Sequence, residues 1–148
     1  MEYIQVTKEN IEKEHICCAI SNNKDIQVSS KKAWLSERFD DGLVFLKSVE
    51  RGKCFIEYIP AENAWIPISA DGYMYIDCLW VSGAFKGHGY STDLLNFCIA
   101  DSKKKREIGL CILSSAKKRG FLADPKFLTH KGFSVCDKAD NGIELWYL

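Results

Sequence analysis

The order of apolar and polar positions predicts a chain that alternates between strands and helices. Short runs rich in β-branched and aromatic residues predict strands, and apolar residues that recur every three or four positions predict helices. The predicted strands are 3–6, 43–49, 54–59, 73–81, 110–113, 134–137 and 143–148. The predicted helices run from 7 to about 20, from 31 to about 40, from about 92 to 106, and from 125 to 131. This is an α/β pattern of the α+β kind, with a mixed sheet of about six to seven strands and about four helices.

Small polar residues and glycines mark the ends of these elements. The predicted N-terminal caps of the helices are Thr7, Ser29 or Ser30, Ser91 or Thr92, and Asp124, which precedes a proline at the first helical position. Gly42 and Gly132 end the second and fourth helices. Residues 21–25 are predicted to form a loop, 50–53 a hairpin turn and 65–68 an extended apolar segment. Short turns such as 50–53 join antiparallel strands, so the sheet is predicted to be mostly antiparallel.

The stretch from Trp80 to Leu95 joins a strand to a helix through a glycine-rich turn. Gly83, Gly87 and Gly89 let the backbone turn tightly and come close to a ligand. The first amides of a helix have no partners inside it and lie at the positive end of the helix dipole, so a junction of this kind binds phosphate readily. Lys86 adds a full positive charge.

The strand before this turn, the helix after it and strand 110–113 predict one parallel pair. A strand, a crossover helix and a second strand in this order pair in parallel. The chain has no GxxxxGK[ST] segment, and no GxGxxG segment follows a strand. The glycine-rich turn therefore does not fit a nucleoside triphosphate loop or a dinucleotide loop.

Length and charge exclude several classes of function. The 148 residues suit a single domain spanning 1–148. Twenty basic residues balance twenty acidic ones, which gives no field that favours nucleic acid or an anionic membrane. The apolar runs are too short to cross a bilayer, and the first residues lack the pattern of a signal peptide. We therefore expect no nucleic-acid partner, no membrane and a cytoplasmic location.

The seven cysteines are spaced like core residues rather than like ligands. Cys17 and Cys18 are adjacent, and the other five stand singly, mostly in apolar runs. No CxxC pair exists, so the spacing argues against a zinc site or a thioredoxin-like redox site, and we expect no metal. An odd count without a secretory signal favours reduced thiols that pack as small apolar groups.

Two motifs resemble the GCN5-related N-acetyltransferase (GNAT) family. The first is Lys86-Gly87-His88-Gly89-Tyr90-Ser91, which resembles the family's pyrophosphate loop: Gln or Arg, two residues, Gly, one residue, then Gly or Ala. Lys86 stands for the Gln or Arg, Gly89 matches the central Gly, and Ser91 stands for the last small residue. The second is Lys131-Gly132-Phe133, which resembles the family's corner between a short helix and a strand. The resemblance covers residues 3–148.

The resemblance implies acetyl-CoA as the co-substrate and a parallel pair that splays apart around its pantetheine arm. The backbone N–H of Leu79 would polarise the thioester carbonyl as an oxyanion donor, and Leu79 and Val81 would pair with the pantetheine. Lys117 and its two neighbours would either reach the 3′-phosphate or be merely exposed. The implied cofactor-binding residues are Leu79, Val81, Lys86, Gly87, His88, Gly89, Tyr90, Ser91, Thr92, Ser114 and Lys117.

The first two helices would form one wall of the acceptor pocket in such a fold. Trp34 and Phe39 would line that wall or lie in the core. The chain departs from the family at the acid that protonates the leaving thiolate, because Leu128 stands where many members have a tyrosine. The acid is therefore unassigned, with His130, Ser114 and water as weak candidates.

A base must also take a proton from the attacking amine, directly or through water. The family often has a glutamate on the strand that ends at the loop, and Tyr75 stands at about that position. Asp77 on the same strand and Glu57 on the preceding strand are the catalytic candidates that remain. Asp77 is equally compatible with a role in a salt bridge.

These features predict an N-acetyltransferase that moves acetyl from acetyl-CoA directly to a primary amine. The acceptor would be a small molecule or a peptide, and the acids near the pocket hint at a cationic amine. A homodimer is left open. The missing tyrosine favours the alternative of a non-catalytic acyl-CoA-binding sensor or interaction module. The resemblance is closest to members whose N-terminal acetyltransferase part precedes a further domain, which would be absent here.

Overall fold

The computed structural model describes residues 1–16, 26–117 and 122–148, which form seven strands and three α-helices. The strands are β1 (Tyr3–Val6), β2 (Val44–Ser48), β3 (Cys54–Pro60), β4 (Tyr73–Val81), β5 (Gly109–Ser115), β6 (Ser134–Lys138) and β7 (Ile143–Tyr147). The helices are α1 (Ile26–Phe39), α2 (Tyr90–Lys104) and α3 (Pro125–His130). One sheet has the strand order β1-β2-β3-β4-β5-β7-β6. The predicted mixed class is therefore confirmed.

β4 and β5 form the predicted parallel pair, and their pairing stops before either strand ends. The ladder between them has four residue pairs and ends at Ile76↔Ile112. Both strands continue beyond that pair, and the last residues of β5 pair with β7, up to Ser115↔Ile143. The two parallel strands therefore part after Ile76 and Ile112, as a splayed pair must.

The described residues divide into two compact units, each assembled from two chain segments. The first unit consists of Met1–Glu57 and Leu79–Asn96, and the second of Tyr58–Cys78 and Phe97–Leu148. The first unit holds β1, β2 and α1, and the second holds β5, β6, β7 and α3. The single domain expected over 1–148 stays a prediction.

The core of the first unit includes the side chains on one face of β2 and β3. Phe45 and Phe55 are fully buried, and their rings stack with centroids 5.1 Å apart. Side chains two residues apart on a strand share a face, so Lys47 and Glu57 lie on the same face as this stack. Both are buried, at 0% and 1% exposure. This face therefore contains a buried cation and a buried anion, and each needs an oppositely charged partner.

The helix predicted from Thr7 to about Ile20 is wrong over the part of it that the structure describes. Residues 8–13 form successive turns. The Asn10 side chain accepts a hydrogen bond from the Thr7 amide at 2.8 Å and donates one to the Gln5 carbonyl at 3.0 Å. Local bonds of this kind compete with helix formation. The rest of the predicted helix and the loop at 21–25 fall in residues 17–25, outside the described chain.

α1 begins five residues earlier than predicted, at Ile26 rather than at residue 31. Its buried face starts at Val28 and continues through Leu35 at helical spacing. Ser29 and Ser30 therefore lie inside the helix and do not cap it. The buried face of the helix thus begins before both serines.

The segment 65–68 is a turn, not the extended segment predicted from its apolar residues. The Ile68 amide donates to the Ile66 carbonyl at 2.9 Å, which closes a three-residue turn around Pro67. The fixed φ of proline suits the central position of such a turn. Trp65 beside it is 67% exposed.

α3 and the corner after it match the prediction closely. Asp124 caps the helix, because its side chain accepts a hydrogen bond from the Lys126 amide at 2.8 Å, and Pro125 occupies the first helical position. The helix ends at His130, one residue before the predicted end. Gly132 has a φ of +92°, which turns the chain toward β6.

In the second unit a buried tyrosine ties β3 to α2. The Tyr58 hydroxyl is fully buried and donates to the Asp101 carboxylate at 2.6 Å, and Lys105 lies 2.9 Å from the same carboxylate. Burial, and then the bond to Asp101, raise the pKa of Tyr58 far above its usual range. The hydroxyl therefore remains a donor at any working pH.

We expect Tyr58→Phe to lower the free energy of unfolding by about 1.5–3 kcal/mol, the usual worth of a hydrogen bond to a charged group. Urea unfolding followed by circular dichroism measures the change. Tyr147→Phe is the matched control, because Tyr147 is 42% exposed and its change should stay within about 0.5 kcal/mol. Equal effects of the two substitutions would show that the Tyr58 hydroxyl does not hold the unit together.

Candidate active site

The chain passes from β4 into α2 through three glycines in left-handed conformations, the first of which is Gly83 with a φ of +61°. β4 ends at Val81, and residues 83–85 form one short 3₁₀ turn. Gly87 and Gly89 have φ values of +82° and +78°, and α2 begins directly afterwards at Tyr90. The left-handed conformation costs a non-glycine residue roughly 1–2 kcal/mol. The three glycines therefore make this tight junction possible, as predicted.

The N-terminus of α2 follows the second glycine directly. The Gly89 carbonyl accepts the first helical hydrogen bond from the Asp93 amide at 3.1 Å. The helix thus starts two residues before the predicted start at Thr92, and neither Ser91 nor Thr92 caps it. The first amides of a helix lack carbonyl partners inside it and carry the positive end of its dipole. This positive end falls within residues 86–92, which we call the glycine loop.

The surroundings of the glycine loop are open. Among the described residues, a side-chain carbon added at Gly87 or Gly89 would meet no atom within 4 Å beyond its chain neighbours. Lys86 and His88 are exposed beside them. Open space, a cation and a helix N-terminus together suit a phosphate group.

Aromatic contacts fix the glycine loop against the hairpin turn at 50–53. Phe85 packs so closely on Gly52 that a side chain at that glycine would clash with the ring. The Tyr90 ring meets Phe85 edge-on at 6.3 Å and stacks with His88 at 5.3 Å. The conformation of the glycine loop is therefore supported from outside as well as by its own glycines.

The end of β4 turns two backbone amides away from β3. The Ser82 amide donates to the Lys53 carbonyl at 2.9 Å, so Ser82 faces the β3 side. Neighbouring residues of a strand point their backbone groups to opposite sides. This alternation directs the amides of Leu79 and Val81 to the other side. The arrangement is compatible with the predicted roles of both residues along the pantetheine and of Leu79 as an oxyanion donor.

Glu57, one of the two candidate bases, is buried in the first unit beside a lysine and an indole ring. Its carboxylate lies 3.1 Å from the Lys31 ammonium, and the two side chains are 1% and 26% exposed. The same ammonium lies 4.5 Å from the centroid of the Trp34 ring, a cation–π distance. Lys31 and Trp34 are one turn apart on α1. The side chains of Trp34 and Phe39 are only half-buried, and their lining of an acceptor pocket stays a prediction.

Asp77, the other candidate base, lies on β4 in the second unit and is exposed. Ser114 in that unit is fully buried, and its hydroxyl donates to the Ala123 carbonyl at 2.6 Å, which weakens it as a candidate acid. Lys117 is exposed, and residues 118 and 119 lie outside the described chain. The cofactor-binding roles of Ser114 and Lys117 stay predictions.

Leu128, at the position of the family's tyrosine, is a core residue of the second unit. Its side chain is fully buried, and its carbonyl accepts the Phe133 amide at 2.9 Å. His130 is exposed in the last turn of α3. Leu128 holds the corner together and has no proton to give, so the general acid stays unassigned.

The first unit contains a buried lysine that was not predicted from the sequence. Lys47 on β2 lies 2.9 Å from the Glu14 carboxylate and 3.3 Å from Nδ1 of His15. Burial first, and then the charge of Lys47, lower the pKa of His15. A lysine inside the apolar run 43–49 is the signal that could have found this cluster, because a buried charge must be paired.

Three observations bear on other classes of function. No helix within 1–16, 26–117 and 122–148 is long and apolar enough to cross a bilayer. Across those same residues, no three His, Cys, Asp or Glu side chains are grouped to hold a metal ion. The five described cysteines are thiols, and burial raises the pKa of Cys98 and of Cys111 to about 12. Neither of those two thiols ionises appreciably near neutral pH.

The chain matches known sequences over a region that includes the glycine loop. The sequence model of the acetyltransferase (GNAT) family matches residues 9–121. The chain is also 49% identical over 149 residues to YoaP of Bacillus subtilis (strain 168), named an uncharacterized N-acetyltransferase. The match covers the whole chain and 59% of that relative, so the chain spans less than two thirds of its length.

Solved structures share the fold at low sequence identity. The ribosomal-protein-alanine N-acetyltransferase of Brucella melitensis has a TM-score of 0.65 at 16% identity, over 100% of this chain and 99% of that one. YncA of Salmonella typhimurium, solved with its cofactor acetyl-CoA, also gives 0.65 at 16% identity, over 99% and 92%. The PaiA N-acetyltransferase of Thermoplasma acidophilum, solved with coenzyme A, gives 0.60 at 15%, over 99% and 98%. These likenesses confirm the predicted fold.

We expect Gly89→Glu to abolish measurable CoA binding, because the new carboxylate would project into the open space that a phosphate needs. Lys86→Ala should weaken binding roughly three- to thirtyfold, because it removes a screened charge near a helix N-terminus. Isothermal titration with CoA measures both effects, and circular dichroism confirms that each variant is folded.

Gly83→Glu is the matched control for this experiment. Gly83 is also left-handed, with a φ of +61°, and has the same open surroundings, but it lies outside the glycine loop. Its binding constant should stay within about threefold of wild type, since water screens the added charge. A folded Gly89→Glu protein that binds CoA as tightly as the control would mean that the loop is misassigned.

Proposed function

The chain belongs to the acetyltransferase (GNAT) family, and on that premise we propose that it uses acetyl-CoA to acetylate a primary amine directly. The observation that carries the proposal is the glycine loop. Its two left-handed glycines, open surroundings and helix N-terminus suit the pyrophosphate of a CoA molecule. Residues 86–92 would hold that pyrophosphate, with Lys86 adding charge at the edge.

Direct transfer needs a base, an oxyanion donor and a leaving thiol. The amine nitrogen attacks the thioester carbonyl, the carbon–sulfur bond breaks, and the products are an amide and free CoA. The amide of Leu79 would stabilise the negative charge on the carbonyl oxygen. The proton lost by the amine would pass to a carboxylate, directly or through water.

Glu57 is the base that we favour over Asp77. Its carboxylate is buried, at 1% exposure, whereas Asp77 is exposed. A buried carboxylate beside an ammonium is also a group that already binds a protonated amine. The acceptor would be a small molecule or a peptide that carries such an amine.

Leu128 favours a second candidate, a sensor that binds acyl-CoA without turnover. The residue at the acid position is fully buried and apolar, so any proton for the thiolate must come from elsewhere. In an enzyme, water would supply it. Homodimer formation and a cytoplasmic location stay predictions.

Release of free CoA from acetyl-CoA, measured with a thiol reagent and a panel of primary amines, tests the proposal. We expect turnover with at least one amine. Glu57→Gln should lower kcat by roughly 10²–10⁴, the usual contribution of a positioned base, with unchanged affinity for CoA. Asp77→Asn is the matched control and should have little effect.

Three results would each contradict a different part of the proposal. Saturable binding of acetyl-CoA with no turnover for any amine would support the sensor. A melting temperature that rises with ATP or NADH but not with acetyl-CoA would show that the cofactor is wrong. A loss of kcat in Asp77→Asn alone would move the base to Asp77.

We also expect no acetyl-cysteine intermediate, in spite of the seven cysteines. Burial raises the pKa of Cys111 to about 12, so its nucleophilic thiolate is scarce at neutral pH. Direct transfer gains its rate from placing amine and thioester together. Mass spectrometry after incubation with labelled acetyl-CoA and no acceptor should find Cys78 and Cys111 unmodified. A stoichiometric thioester on either residue would overturn direct transfer.

A further inference from the structure

The contacts of Lys31 are those that a carboxylate and an aromatic ring make with an alkylammonium ligand. Its ammonium is 3.1 Å from the buried Glu57 carboxylate and 4.5 Å from the centre of the Trp34 ring. One carboxylate supplies charge and hydrogen bonding, and one indole face supplies cation–π attraction. Together these groups form a site for a primary ammonium on a flexible alkyl chain.

The ammonium site belongs to the same unit as Leu79, the residue that carries the candidate oxyanion donor. The hydrogen bond from Ser82 to Lys53 brings the end of β4 beside the start of β3, which is the antiparallel arrangement. A regular ladder continued for three steps from that pair would place Leu79 opposite Ile56, the residue next to Glu57. Neighbouring strands are only about 5 Å apart. The ammonium site and the residue that carries the proposed oxyanion donor would then lie on neighbouring strands, with the Leu79 amide on the side of β4 that faces away from β3.

Lys31 can leave its partner Glu57 more easily than Lys47 can leave its partner Glu14. The Lys31 side chain is 26% exposed on a four-carbon stem, whereas Lys47 is 0% exposed and is held by Glu14. A buried carboxylate without a cation is strongly unfavourable, so Glu57 exchanges one ammonium for another far more readily than it loses one. An incoming alkylammonium is such a replacement.

Resting on the function proposed above, we propose that Lys31 occupies the acceptor site in the free protein as a stand-in for the acceptor. The acceptor is then a primary alkylammonium that resembles the end of a lysine side chain. It binds by displacing Lys31 from Glu57 and packing on Trp34. The apparent affinity for the acceptor is reduced by the fraction of molecules in which Lys31 holds the site.

Lys31→Met removes this competitor and keeps the length of the side chain. With n-butylamine as the acceptor, we expect the variant to have a KM roughly tenfold lower than wild type, with unchanged affinity for CoA. Lys32→Met is the matched control on the same helix, because Lys32 contacts the Glu12 carbonyl. Its KM should stay within about twofold of wild type.

A second measurement needs neither acetyl-CoA nor turnover. Removal of the ammonium from Glu57 should lower the melting temperature of Lys31→Met, and n-butylammonium chloride should restore it more than an equal concentration of sodium chloride. Lys31→Arg keeps the charge and should fold in any case. Because arginine binds a carboxylate with two parallel hydrogen bonds, this variant should raise the KM for n-butylamine at least severalfold.

These readouts separate failure of the inference from failure of the proposed function. Rescue of Lys31→Met by n-butylammonium, in a protein that releases no CoA with any amine, would support the ammonium site and reject the enzyme. Turnover with KM values that neither Lys31 variant changes, and no rescue beyond sodium chloride, would overturn the inference and leave the enzyme intact.

Discussion

The first amides of a helix need partners that the helix cannot supply, and this constraint shapes the junction between β4 and α2. The left-handed conformations of Gly87 and Gly89 let the chain enter α2 directly and leave open space beside its N-terminus. Phe85 anchors the loop on the hairpin turn, and the Tyr3 hydroxyl donates to the Asp93 carboxylate at 3.0 Å. The positive helix end is therefore held in place while the acidic side chain of its first turn is engaged by β1.

One face of β2 and β3 in the first unit carries two buried charged side chains. Lys47 and Glu57 lie on the face of the Phe45–Phe55 stack, and each is matched by a partner outside its own strand. Buried ion pairs stabilise a fold poorly, because desolvation cancels much of their attraction. The burial of the Lys31–Glu57 pair is therefore weak evidence for a stabilising role and is compatible with the role proposed for Glu57. A carboxylate kept dry and close to a cation suits the binding and deprotonation of an amine.

Most of the fold followed from patterns that local residues control. The glycines before α2, the cap at Asp124 and the crossover between β4 and β5 depend on short-range geometry, so the sequence predicted them. Over the described residues 7–16 the predicted helix was wrong, because the Asn10 side chain bonds to nearby backbone. Ser91 and Thr92 were wrong as caps because the Gly89 carbonyl accepts the first helical hydrogen bond. The glycine loop could thus be predicted, whereas the Lys31–Glu57 contact could not, because it joins residues 26 positions apart and periodicity does not report such pairs.

The central claim is that the amides of the glycine loop bind the pyrophosphate of CoA. Titration of isotope-labelled protein with CoA, followed by amide chemical shifts, tests it residue by residue. We predict that the amides of residues 87–92 shift most and saturate together. The amides of Leu79 and Val81 should shift with CoA and with acetyl-CoA, but not with a CoA fragment that lacks the pantetheine arm. Saturable shifts confined to other parts of the chain, with the amides of residues 87–92 unmoved, would contradict the account.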